Sequence, residues 1–128
     1  MAAFSDYLEN ALLDHVLRGV AYASPATVYL ALFLTDPTDA DSGTEVTGGA
    51  YARRSITFAA AAGGSVSNNA LVTFPTATAD WGVVAYIALY DALTAGNLLF
   101  HSRLRDSATV LSGQTMSYPA GDLSVTLE

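Results

Sequence analysis

Residues Tyr22–Phe58, YASPATVYLALFLTDPTDADSGTEVTGGAYARRSITF, carry the decisive reading. Thr27–Leu34 alternates with period two: Val28, Leu30, Leu32 and Leu34 fall on one face, Tyr29, Ala31 and Phe33 on the other. Both faces are apolar, the mark of a strand covered on two sides. Asp36-Pro37 ends it, and Thr38–Ala50 follows as a thirteen-residue loop rich in Thr, Asp and Gly. Loops of that length in compact domains are often contact-making. Ala52–Phe58 resumes the alternation with Ala52, Arg54, Ile56 and Phe58 opposite Arg53, Ser55 and Thr57.

Working outward, period two persists to the C-terminus. Leu71–Phe74 reads as a short strand closed by Pro75. Val83–Tyr90 is a second two-sided strand, and Asp91–Asn97 is a hairpin loop leading into Leu98–Leu104. Ala108–Leu111, Gln114–Tyr118 and Leu123–Leu127 complete the set, whereas Ala59–Asn69, all small residues, reads as a flexible connection. Upstream, Phe4–Arg18 is the one helical segment. Ser5 suits the N-cap, Asp6 and Glu9 the positive dipole end, and Gly19 the stop. Leu8, Leu12, His15, Val16 and Gly19 share one face, opposite a polar stripe of Asp6, Asn10, Asp14 and Arg18. About four turns are too few for a stable isolated helix, so it must pack on the sheet or on a neighbouring subunit.

The expected fold is therefore mainly β: an antiparallel β-sandwich or barrel of seven or eight strands with one N-terminal helix. We expect a single domain over 1–128, with helix 4–18 packed on, or extending from, a sandwich spanning 27–127. A 128-residue chain buries enough surface to need no disulfide or metal, and without cysteine it has no thiolate chemistry.

Composition narrows the function. No lysine is present, and five arginines face twelve carboxylates for a net charge of −7. Binding to a phosphate backbone needs clustered cations, so nucleic acid and anionic membrane are not expected partners. No apolar run reaches the roughly 18–20 residues that span a bilayer, and MAAFSDYLEN lacks the basic and apolar regions of a signal peptide. Charged residues are only 13% of the chain while 52% is hydrophobic, which suggests that other chains cover part of the surface.

No chemical motif emerges. Asp36, Asp39, Asp41 and Glu45 lie close together but lack the spacing of a calcium loop. His15 and His101 accompany no nucleophile elbow and no zinc motif, and the two Gly-Gly pairs open no phosphate-binding helix. Neither an enzyme, a cofactor nor a small-molecule substrate is expected. Arg53 and Arg54 point to opposite faces, so one of them needs a carboxylate or carbonyl partner. Trp81, between Asp80 and Gly82, suits a core corner first, an interface anchor second and a sugar-stacking platform third.

Three segments carry a family resemblance: Tyr22–Phe58, Thr73–Leu104 (TFPTATADWGVVAYIALYDALTAGNLLFHSRL) and Phe4–Gly19 (FSDYLENALLDHVLRG). Together they resemble a family of small tailed-bacteriophage virion proteins, variously described as tail fibre or head decoration proteins. The resemblance implies a non-enzymatic, self-assembling virion protein. The absence of a shaft repeat leads us to expect a capsid decoration (cement) protein. It would bind across seams of the major capsid protein on the outer head surface, as a homotrimer, after synthesis in the host cytoplasm. The alternative is a tail fibre or tail-tip component, with Trp81, Tyr86 or Tyr90 stacking on host carbohydrate. Expected interface residues are Phe4, Tyr7, Leu8 and Leu12 on the helix, Asp39 and Asp41 on the acidic loop, and Arg53, Arg54 and Trp81.

Overall fold

The two-sided strands become the middle of a five-stranded sheet. In the computed structural model, which describes residues 2–127, the elements run β1 (Ala3–Phe4), α1 (Asp6–Arg18), β2 (Val28–Phe33), β3 (Arg54–Ile56), β4 (Ser65–Ser67), β5 (Val72–Thr73), β6 (Gly82–Tyr90), β7 (Leu98–Val110), β8 (Ser117–Tyr118) and β9 (Ser124–Thr126). The main sheet has the order β1-β7-β6-β2-β3, and β4-β9 and β5-β8 form two short sheets. All of these pairings are antiparallel. The fold is mainly β with one helix, as expected.

Side-chain alternation on β2 divides the interior in two. Leu30 and Leu32 enter a larger core with Phe74, Trp81, Val84 and Val110. Ala31 and Phe33 enter a smaller one with Ala88, Tyr90 and Leu98 on the opposite face. Register keeps cross-strand neighbours together: Leu30 faces Leu89, and Ala31 faces Ala88. The short sheets supply the far wall of the larger core through Val72, Tyr118 and the half-buried Leu123 and Val125. Tyr51, Phe74, Trp81 and Tyr118 form a run of rings there, centroids 5.5–6.5 Å apart, and such pairs add to plain area burial.

Four expectations need correction. Phe4 does not begin the helix; it pairs with Phe100 in β1, and the helix starts after Ser5. The apolar helix face is not packed along its length. Leu8 is buried and Leu12 half-buried, but Val16 on the same face is 71% exposed, and off that face Leu13 and Leu17 are 57% and 75% exposed. Ala59–Asn69 is no loose connection: Ala62 and Ser65 exchange backbone hydrogen bonds in a tight turn, and β4 pairs with β9. Leu98–Leu104 and Ala108–Leu111 merge into one strand, β7. Its register jumps from Ala108 opposite Val84 to Arg103 opposite Tyr86, so Leu104–Ser107 forms a bulge.

The N-terminus is tied to β7. Ser5 N–H donates to Leu99 O at 3.0 Å, its hydroxyl donates to Leu98 O, and the same oxygen accepts from Leu8 N–H at 3.1 Å as N-cap. Asp6 N–H donates to Asp39 O at 2.9 Å, adding the acidic loop to the joint. Gly19, at φ +69°, ends the helix in the left-handed conformation. The helix is thus held by its first turns, and its C-terminal half projects.

Candidate interaction surfaces

Projection creates the first surface. Turning 100° per residue, Leu13, Val16 and Leu17 share a stripe pointing away from Leu8, and Val20, 44% exposed, follows just beyond the helix stop. The exposed Asp6 and Glu9 lie on the same side, one to two turns earlier. Asp14 and Arg18 pair at 3.0 Å on a flank, and His15 Nδ1 lies 2.9 Å from Val20 O. Tyr7, 42% exposed, stands apart from the stripe.

The acidic loop does something the sequence did not disclose: its carboxylates reach back into the fold. Arg53, 8% exposed, donates Nε to Glu45 Oε2 and Nη2 to Glu45 Oε1, both at 2.9 Å. Its Nη1 donates to Ala92 O (3.0 Å) and Ala95 O (2.8 Å), and the guanidinium lies 3.7 Å above the Tyr90 ring. Tyr51 O–H donates to Glu45 Oε2 at 2.7 Å while its oxygen accepts from Leu32 N–H at 3.0 Å. Tyr90 O–H donates to Asp41 at 2.5 Å. Burial first, then the carboxylate each one bonds, pushes the phenols of Tyr51 and Tyr90 well above their ordinary value. Arg53 is raised above its ordinary value although burial alone would lower it, because the Glu45 hydrogen bonds and charge outweigh desolvation.

His101 closes the other end of the loop, with Nε2 donating to Asp39 Oδ1 at 2.7 Å and Nδ1 3.7 Å from Asp36 Oδ1. Both ring nitrogens therefore face carboxylates. The four acids considered as a cation loop disperse to His101, Tyr90 and Arg53. Asp6, Glu9 and Asp39 approach within 4.8 Å, but all three are exposed, a grouping common on acidic surfaces.

A groove of about 470 Å³ forms the third surface, between the β6–β7 ribbon and β9. Its walls are Phe58, Ile87, Phe100, Leu104, Leu123 and Val125; Arg103, Arg105, Asp106 and Asp122 stand along its rim. None of the residues of α1 enters it. Arg103 sits 5.8 Å from the Tyr86 ring centroid, and among the described residues neither Arg103 nor Arg105 pairs with a carboxylate. Tyr118 also lines the groove, and its buried hydroxyl has no hydrogen-bond partner among the described residues.

The residues expected at interfaces therefore separate into two groups. Tyr7, Asp39, Asp41 and Arg54 lie at the surface, with Asp39 and Asp41 already engaged. Leu8, Arg53 and Trp81 are interior, while Phe4 and Leu12 are half-buried against the larger core. Trp81 is 4% exposed, donates Nε1–H to Gly49 O at 2.9 Å and packs edge-on to Tyr51. With Tyr90 also buried, neither ring offers a face to a sugar, and Tyr86 is half-buried beside Arg103. Sequence reasoning missed Leu13 and Leu17, whose i, i+4 spacing was the available signal, and the groove, whose walls come from distant segments. The family described as Podophage GP4 fiber I protein gp80 matches residues 3–126. No curated protein matches the chain.

Proposed function

We infer that this chain, which belongs to the Podophage GP4 fiber I protein gp80 family, is a self-assembling structural subunit of a phage fibre and works by binding, not catalysis. The virion structural role follows from the family; the fibre side of it is favoured over head decoration by the same match, which gives no support to a major capsid protein partner. One observation carries the assembly reading: a helix held only at its base leaves Leu13, Val16 and Leu17 to water. Stranded apolar side chains at helical spacing mark a contact with another chain.

The subunit is read as a single domain over 1–128 that forms homotrimers. Tyr7, Asp39, Asp41 and Arg54 are the surface residues we assign to its contacts, with Phe4, Leu8, Leu12, Arg53 and Trp81 holding the elements that present them. A non-enzymatic role is supported by His101, whose nitrogens meet Asp39 and Asp36 rather than a hydroxyl. Immunogold electron microscopy of the parent virion tests the location. Gold confined to the tail region supports the fibre reading, and gold spread over the head overturns it in favour of decoration.

A further inference from the structure

We propose that the outward face of α1 from one copy seats in the β7–β9 groove of the next copy, a head-to-tail contact. This deepens the self-assembly reading above and rests on it. Both halves of the contact are present on one chain: the helix stripe is left to water, and the groove, whose half-buried apolar walls rest on the larger core, stays open. Leu13, Val16 and Leu17 follow the i, i+3, i+4 spacing by which helices anchor in apolar grooves. The groove offers Phe100, Leu104, Leu123 and Val125 as walls, and its own helix lies outside it.

Charge fixes both the occupant and its direction. On the outward side of the helix the acids Asp6 and Glu9 come first and the apolar stripe second. On the groove, Arg103 and Arg105 stand on the rim without a carboxylate partner among the described residues. Seating the acidic turn of the helix toward these arginines sets its direction in the groove, while Arg18 stays paired with Asp14 on the flank. A second helix of the same kind offers no cation on its outward side: in parallel Asp6 and Glu9 would meet their own copies, and antiparallel they would meet Val16 and Leu17. The groove is therefore the better partner for the stripe. A contact joining two different surfaces is heterologous: it closes into a ring, three copies giving a trimer, or it runs on as a filament.

Two double variants test the contact in the full chain. Val16→Asp/Leu17→Asp blocks the helix face, and Arg103→Glu/Arg105→Glu reverses the groove rim; all four residues are exposed. Far-UV circular dichroism checks that both variants stay folded. In sedimentation velocity the wild type is expected to associate, and each variant to bind its own kind at least about tenfold more weakly. Mixing the variants is decisive, since each retains the surface the other lacks. A one-to-one complex that grows no further supports the proposal. Variants that fail to associate when mixed, or a rim reversal without effect, overturn it, as does a wild type that stays monomeric at about 100 µM. The mass of the purified protein does not depend on where gold falls on the virion, so this contact and the fibre location fail separately.

Discussion

Replacing Glu45 with alanine strikes the interior where its partners have least access to water. The Arg53 side chain is 7% exposed and that of Glu45 22%. The substitution removes two hydrogen bonds to the guanidinium but leaves those to Ala92 O and Ala95 O and the stacking on Tyr90. Stripping one partner from a buried ion pair costs about 3–5 kcal/mol, and the partial exposure of Glu45 places the loss near 3. Tyr51 also loses the acceptor of its hydroxyl proton, worth about 1 kcal/mol. The expected total is about 4 kcal/mol, which for a chain of this size lowers Tm by roughly 15 °C. Urea unfolding followed by fluorescence of Trp81, the single tryptophan, measures it. Glu45→Leu/Arg53→Met should be less damaging than Glu45→Ala alone, because it leaves no buried charge without a partner. A loss below about 1 kcal/mol for Glu45→Ala would refute the reasoning, since that is the worth of a solvent-screened pair.

Alkali should act through the tyrosines. Tyr51, Tyr90 and Tyr118 are all raised above 10 in the folded state, Tyr118 to about 12 by burial and then the charge of Asp122. The unfolded chain releases these protons first, so stability holds below pH 10 and falls above it, by up to about 4 kcal/mol per pH unit for three groups. Tyrosinate absorbance against pH checks this, and seven tyrosines ionising together near pH 10 in a folded protein would contradict it. Tyr118→Phe removes a buried hydroxyl with no partner and is expected to be neutral or to stabilise by up to about 1 kcal/mol; a destabilisation beyond that in urea would show a bonded hydroxyl. Ser5→Ala deletes both the N-cap and the tie to Leu98, and a loss of about 1–3 kcal/mol with reduced helical ellipticity is expected. Unchanged ellipticity and midpoint would mean that Ser5 does not anchor α1.

Much of the fold was legible because local signals agreed. Ser5, Gly19 and the acids of the first turn fixed α1 to within two residues, and the two-sided alternation of Val28–Phe33 and Val83–Tyr90 marked the central strands. What stayed hidden depends on partners far along the chain. Ser65–Ser67 has no apolar rhythm of its own and is a strand only because Ser124–Thr126 pairs with it. The sequence required a carboxylate or carbonyl partner for one of Arg53 and Arg54, and Arg53 took both kinds; that the carbonyls would be those of Ala92 and Ala95 was invisible. The helix face misled for a different reason. Periodicity finds an apolar stripe but not how much of the helix the sheet reaches, and here β7 supports only its base.

That base also sets an order of events in time. Ser5 caps α1 through a hydroxyl bonded to Leu98, 93 residues downstream. A thirteen-residue helix is marginal in water until it is docked, so during translation α1 cannot hold its shape before β7 has left the ribosome. Nascent chains arrested before Leu98 should therefore show no protected helix in hydrogen exchange. The sticky stripe therefore takes shape only after β7 is available, and neighbouring nascent chains that have not reached β7 are kept from gripping one another.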